Sequence, residues 1–175
     1  GNLLNALSDY GLNDTAYKLF ESTDYASWLY PVTQGATSIW ERWNGYTNEL
    51  GFNGNNSMNS FNHYAYGAIG EWMYRAMAGI EADPEHPGFK HAILLSAHRW
   101  KSEIHCRKYH SIYGDVGVKW EVQGKQITLT VQIPVNTTAE IRLDKAKAVL
   151  ESDGLTFTRE ADYMAAEAGS GTYHI

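Results

Sequence analysis

The stretch Ile80-Glu81-Ala82-Asp83-Pro84-Glu85-His86-Pro87-Gly88 constrains this chain more than any other. Proline lacks a backbone N–H and pushes the residue before it out of the helical region, so no helix crosses this segment. Composition changes across it. Residues 1–80 hold 3 Lys+Arg and 7 Asp+Glu, with 4 of the 6 Trp and 8 of the 12 Tyr. Residues 81–175 hold 11 Lys+Arg and 13 Asp+Glu. The pattern predicts a first domain over 1–80, a linker over 81–88 and a second domain over 89–175.

The first part reads helical. Ala16, Leu19 and Phe20 follow a candidate N-cap at Asn13-Asp14-Thr15. The strongest helix is predicted over 57–79, where Phe61, Ala65, Ala68, Ile69, Trp72, Met73 and Ala76 recur at spacings of three and four. Gly79 offers a C-terminal cap. Gly67 and Gly70 suggest close packing against another helix, and the aromatic surface suggests helices beyond this chain.

The second part reads as strands. An apolar run spans 92–97, and 103–110 and 116–122 alternate. Gln123-Gly124 marks a turn into 126–133, where Ile127, Leu129, Val131 and Ile133 form a strict period-two stripe. Further strands are predicted at 139–143, 149–150 and 171–175. Short strands with regular turns suggest an antiparallel sandwich.

Several functions are disfavoured. A net charge of −6 gives no global attraction to phosphate backbones or anionic lipid, so nucleic-acid and membrane partners are not expected. No apolar run approaches the roughly 18 residues of a membrane span. The single Cys106 cannot make an intrachain disulfide, and His105, Cys106 and His110 lack metal-ligand spacing, so no metal and no cofactor is expected. The chain opens on Gly1-Asn2-Leu3 with no Met, Lys or Arg in its first ten residues. It reads as a piece of a longer polypeptide, with the compartment left open.

Two segments could carry chemistry. In Gly35-Ala36-Thr37-Ser38-Ile39-Trp40-Glu41-Arg42-Trp43 a carboxylate lies between two indoles. If the rings exclude water, the ionised carboxylate is destabilised and becomes a stronger proton acceptor. Aromatic faces also suit the C–H faces of sugars. The plainer alternative pairs Glu41 with Arg42 or a lysine and leaves both Trp in the core. In Ser60-Phe61-Asn62-His63-Tyr64, His63 near a helix start could donate to a ligand hydroxyl; alternatively it is an ordinary core or surface histidine.

Taken together, these segments resemble the bacterial α-L-rhamnosidases of glycoside hydrolase family 78. The resemblance runs through Gly35–Trp43 and the stretch from Ser57 to Ile80. It continues in Pro87-Gly88-Phe89-Lys90-His91, Tyr113-Gly114, Trp120, Ile133-Pro134-Val135-Asn136-Thr137-Thr138-Ala139 and Gly169-Ser170-Gly171-Thr172-Tyr173. It implies an α+β multidomain fragment: the last helices of an (α/α)6 barrel followed by an antiparallel β-sandwich. The implied partners are the rest of that barrel and a rhamnose-containing glycoside, in the bacterial cytoplasm or periplasm.

The resemblance also implies hydrolysis of terminal α-L-rhamnose with inversion, which needs an acid and a base about 6.5–9.5 Å apart. Glu41 takes the position of the general base, His63 contacts the sugar, and Trp40 and Trp43 wall or support the pocket. The family's general acid lies in an upstream motif that residues 1–34 do not resemble. Asn44-Gly45-Tyr46 stands where many relatives have Asp-Gly-Trp. The alternative from another class is a non-catalytic carbohydrate-binding module using the aromatic-rich half.

Overall fold

The computed structural model describes residues 2–52, 54, 57–95, 104–144 and 146–175. Residues 96–97 of the run expected over 92–97 and residue 103 of the strand expected over 103–110 lie outside the described residues. The chain divides into two compact units, Gly1–Trp72 and Met73–Ile175.

The first unit contains α1 (Leu3–Asp9), α2 (Asn13–Phe20), α3 (Tyr30–Thr33), α4 (Tyr64–Gly67) and α5 (Ile69–Trp72). The cap of α2 is Leu12, with Asn13 already inside the helix. One small core forms around Trp72, which is 1% exposed, with Leu4 and Ala16 buried in the same unit. Tyr17 and Phe20 set their rings against the indole at centroid distances of 5.2 and 5.4 Å. Its Nε1–H donates to Ser8 Oγ at 2.9 Å, removing the cost of burying a bare donor.

The helix expected over 57–79 is a correction. Helical structure starts at Tyr64, because the residues before it find backbone partners elsewhere. Ser60 and His63 hydrogen-bond the segment around Glu41, and Met58 has a positive φ of 50°. Of the predicted apolar stripe, Ile69 and Trp72 are buried, whereas Ala65, Ala68 and Met73 are exposed. A Cβ on Gly67 or Gly70 would meet nothing within 4 Å, so neither glycine is used for close packing inside this chain.

The second unit opens with a π-helical turn, Met73–Met77, that closes on Gly79 at φ +69°. A Cβ at Gly79 would stand 2.1 Å from the Leu95 carbonyl oxygen, so the position demands glycine on two grounds. Strands follow as β1 (Ile80–Ala82), β2 (His91–Leu95), β3 (Ile104–Ser111), β4 (Gly114–Gln123) and β5 (Gln126–Ile133). After them come β6 (Thr138–Asp144), β7 (Thr158–Arg159), β8 (Tyr163–Ala168) and β9 (Gly171–His174). They build two sheets, ordered β1-β2-β6-β8-β7 and β3-β4-β5-β9. The span expected as a linker thus includes the end of β1 and the start of a 3₁₀ turn, Pro87–Phe89.

The sandwich is not purely antiparallel. β2 and β6 run parallel, from His91 opposite Thr138 to Leu95 opposite Arg142. Between them in sequence the chain makes β3, β4 and β5 in the other sheet, the long crossover that a parallel pair requires. The inward faces alternate as period two dictates: Ala92 and Leu94 on β2, Leu129, Val131 and Ile133 on β5, Ala139, Ile141 and Leu143 on β6. With Val116, Val118 and Trp120 of β4 they form one buried cluster spanning both sheets. Ile127, at the outer end of the stripe, is 44% exposed. The strand expected at 149–150 is absent: Val149 packs on the core from a loop, and Leu150 is 77% exposed.

Candidate functional site

The two segments singled out in the sequence lie side by side. Glu41 N–H donates to Ser60 O at 2.8 Å, and His63 N–H donates to Ile39 O at 2.8 Å. Ser38 Oγ donates to Phe61 O. Residues 38–41 and 60–63 therefore run alongside each other, far apart in sequence and fixed by backbone.

Glu41 is half-buried, and its Oε2 accepts the Ser60 N–H at 2.8 Å. Main chain and side chain of Glu41 thus clasp the same residue, which restricts the carboxylate's rotation. The bond occupies Oε2 and leaves Oε1 as an acceptor. Among the described residues, Glu41 has no ion pair with a lysine or arginine, so the surface-pair alternative does not describe it.

The flanking indoles go different ways. Trp40 is 7% exposed and packs edge-on against Phe61 and Tyr46, with centroids at 4.9 and 6.5 Å. Phe52 joins the same group against Tyr46 and Phe61. Trp43 is half-buried and stacks face to face on Tyr66 at 3.7 Å and 17°, with Trp28 edge-on at 5.4 Å. Trp28 Nε1–H donates to Tyr66 O at 3.1 Å, tying that second group together. Each indole is braced by its own rings, on either side of the residue that carries the carboxylate.

His63 caps α4. Its Nδ1 accepts the Ala65 N–H at 3.2 Å, and its ring lies parallel to Tyr64 at 5.3 Å and 6°. A neutral imidazole accepting at Nδ1 carries its proton on Nε2, which makes that nitrogen a donor. The local arrangement therefore supplies a held carboxylate, a donor-ready imidazole and aromatic surface, a combination suited to a polyhydroxylated ligand and to activation of water. Among the described residues no group of three or more His, Cys, Asp or Glu could hold a metal ion.

Sequence reasoning gave Ser60 no role of its own and did not single out Tyr66 or Trp28. Ser60 acts on Glu41 through its backbone N–H, which carries no side-chain signature. Tyr66 and Trp28 follow no period that would pair them with Trp43, although the aromatic density around them was a signal. Asn59, whose Nδ2 donates to Gly45 O at 2.9 Å, likewise holds the loop after Trp43 against the segment before His63.

Residues 2–77 match the family described as bacterial alpha-L-rhamnosidase 6 hairpin glycosidase domain, and residues 79–157 match the bacterial alpha-L-rhamnosidase C-terminal domain. An alpha-L-rhamnosidase of Formosa agariphila is 41% identical over 158 residues, covering 89% of this chain and 17% of that protein. An alpha-L-rhamnosidase of Streptomyces avermitilis is 37% identical over 176 residues, covering 99% of this chain and 17% of that protein. The crystal structure of the Streptomyces avermitilis enzyme complexed with L-rhamnose superposes with a TM-score of 0.84 at 36% identity, covering 98% of this chain and 17% of that one. The chain thus spans about a sixth of the length of these relatives. Among the described residues no helix is long and apolar enough to cross a membrane.

Proposed function

Because this chain belongs to the bacterial α-L-rhamnosidase family, we propose that it is the base side of an inverting glycosidase site that releases terminal α-L-rhamnose. In this reading 1–80 supply the last helices of an (α/α)6 barrel, 81–88 link, and 89–175 form the sandwich domain. The remainder of the barrel and the general acid belong to polypeptide outside these residues.

The observation that carries the reading is the clasp between Glu41 and Ser60, which holds a carboxylate beside the His63 segment. Glu41 Oε1 takes a proton from water as that water attacks the anomeric carbon. An acid on the opposite face protonates the leaving oxygen, with about 6.5–9.5 Å between the two carboxyl groups. His63 Nε2–H donates to a sugar hydroxyl. Trp40 and Trp43, each braced by its own ring cluster, support the walls.

The test is Glu41→Gln in the full-length enzyme, assayed on an aryl rhamnoside. Loss of general-base assistance lowers turnover by about 10²–10⁴-fold, with the Michaelis constant little changed. Near-normal turnover would take Glu41 out of this role. NMR of the released sugar should show the anomer opposite to that of the substrate first; appearance of the same anomer would exclude inversion. His63→Ala should raise the Michaelis constant more than it lowers turnover.

A further inference from the structure

Three segments that this chemistry does not use converge within the second unit on a cavity of about 480 Å³. Its volume falls among those of small-molecule sites, about 300–1,000 Å³. His86, Lys90 and His91 come from the turn before β2 and its first residue. Asn136 and Thr138 come from the turn entering β6, and Ser170 from the turn between β8 and β9.

The polar groups here are held in place but not used up. His86 Nδ1 lies 2.6 Å from Asp83 Oδ2, and this hydrogen bond holds the Asp83 carboxyl below the usual carboxylate range. With Asp83 ionised, Nδ1 is the donor and Nε2 is left over. His91 Nδ1 lies 2.7 Å from Thr138 Oγ1, which leaves its Nε2 as well. The two imidazole centroids are 5.6 Å apart.

Lys90 Nζ donates to Asn136 O and sits 5.2 Å over the Tyr113 ring. Among the described residues no carboxylate pairs with it. A backbone carbonyl and a ring face orient the ammonium without neutralising it, so its charge remains for an anion. Ser170 Oγ donates to Thr137 O at 3.2 Å and keeps its lone pairs. Stitching the turns together would need the hydroxyls and the lysine. It would not need two imidazoles with spare nitrogens beside an unpaired cation.

We propose that this cavity binds an acidic sugar unit, a hydroxyl-rich ring carrying one carboxylate or sulfate. Lys90 Nζ takes the anionic group, joined by His91 Nε2–H when its Nδ1 accepts from Thr138 Oγ1. His86 Nε2, an acceptor while its Nδ1–H is held by Asp83, takes a ring hydroxyl together with Thr138, Ser170 and the Asn136 amide. The choice of a sugar rather than a free anion rests on reading the chain as part of a glycosidase.

The experiment follows the Cε1–H NMR signals of His86 and His91 in the full chain. Titrants are glucuronate, glucose 6-sulfate, L-rhamnose, acetate and inorganic sulfate. The acidic sugars should shift both signals saturably and bind at least about tenfold more tightly than L-rhamnose or the free anions, a difference of about 1.4 kcal/mol. The tighter of the two acids identifies the anionic group. Lys90→Gln should abolish the preference over L-rhamnose and Lys90→Arg should retain it, with dispersed amide spectra confirming that both variants fold. Equal affinity for L-rhamnose overturns the proposal. So does equal affinity for acetate or sulfate, or an unchanged preference in a folded Lys90→Gln chain. Glu41→Gln should leave these shifts intact, so failure of the catalytic reading is distinguishable from failure here.

Discussion

In the second unit, Leu129, Val131 and Ile133 turn inward on every second residue and meet Ala139, Ile141 and Leu143 across a single core. In the first unit, Trp40 and Trp43 are three residues apart and enter separate ring clusters, while Leu3, Tyr10, Leu50, Phe52 and Tyr64 remain exposed. The sheet unit buries its apolar residues through a repeating backbone geometry. The helical unit does so through individual ring contacts and a few long-range backbone hydrogen bonds. The first kind of region buries its apolar side chains in one continuous core, and the second leaves more large apolar side chains exposed.

The comparison is most directly broken by matched truncations. Ile141→Ala, at a fully buried position, should cost about 2–5 kcal/mol in urea unfolding. Leu50→Ala, at 59% exposure, should stay within about 0.5 kcal/mol. Equal costs would mean that the two units do not differ in the way described. Gly79→Ala should cost about 1–3 kcal/mol from its positive φ, with an added penalty from the Leu95 carbonyl, and should reduce amide protection in β2.

A smaller effect is expected in acid. Arg142 donates to Glu140 through Nε–H and Nη2–H, at 2.9 and 2.8 Å, and holds its carboxyl below the ordinary range. That contribution is present above the unfolded value of about 4.3 and fades as pH falls through the lower folded value. Glu140→Gln should therefore flatten the loss of stability in this window, by about 1 kcal/mol at most. A stability curve identical to that of the parent chain would remove this pair from the account.

The smallest effect belongs to the helical unit. Burial, and then the Glu21 charge, push the Tyr17 hydroxyl up to about 12. Stability from its neutral form is complete below the unfolded value of about 10 and declines as pH rises towards 12. Tyr17 OH is buried without a hydrogen-bond partner, so Tyr17→Phe should stabilise by no more than about 1 kcal/mol. Ultraviolet titration should lose its last-ionising tyrosine in that variant.

The sheets were legible wherever period two was strict. The stripe from Ile127 to Ile133 corresponds to β5 over Gln126–Ile133. β8 was missed because Tyr163-Met164-Ala165-Ala166-Glu167-Ala168 lacks the β-branched residues that mark a strand; it forms because it pairs with β6. The helix over 57–79 was over-read because helical spacing does not show that Glu41 and Ile39 would claim the backbone of Ser60 and His63. At the candidate site, the neighbouring segments were legible as side-chain types. What braces them was not, since it is made of amide groups and of rings at irregular spacing.

The parallel pairing of β2 with β6 has a consequence for biosynthesis. As the chain leaves a ribosome, β2 can meet β1 at once, but its other edge stays open until Thr138 to Arg142 have been made. All of β3, β4 and β5 must emerge first. The nascent polypeptide therefore carries an unsatisfied strand edge through much of the second unit's translation, which makes β2 the natural place for a chaperone to bind and for misassembly to begin.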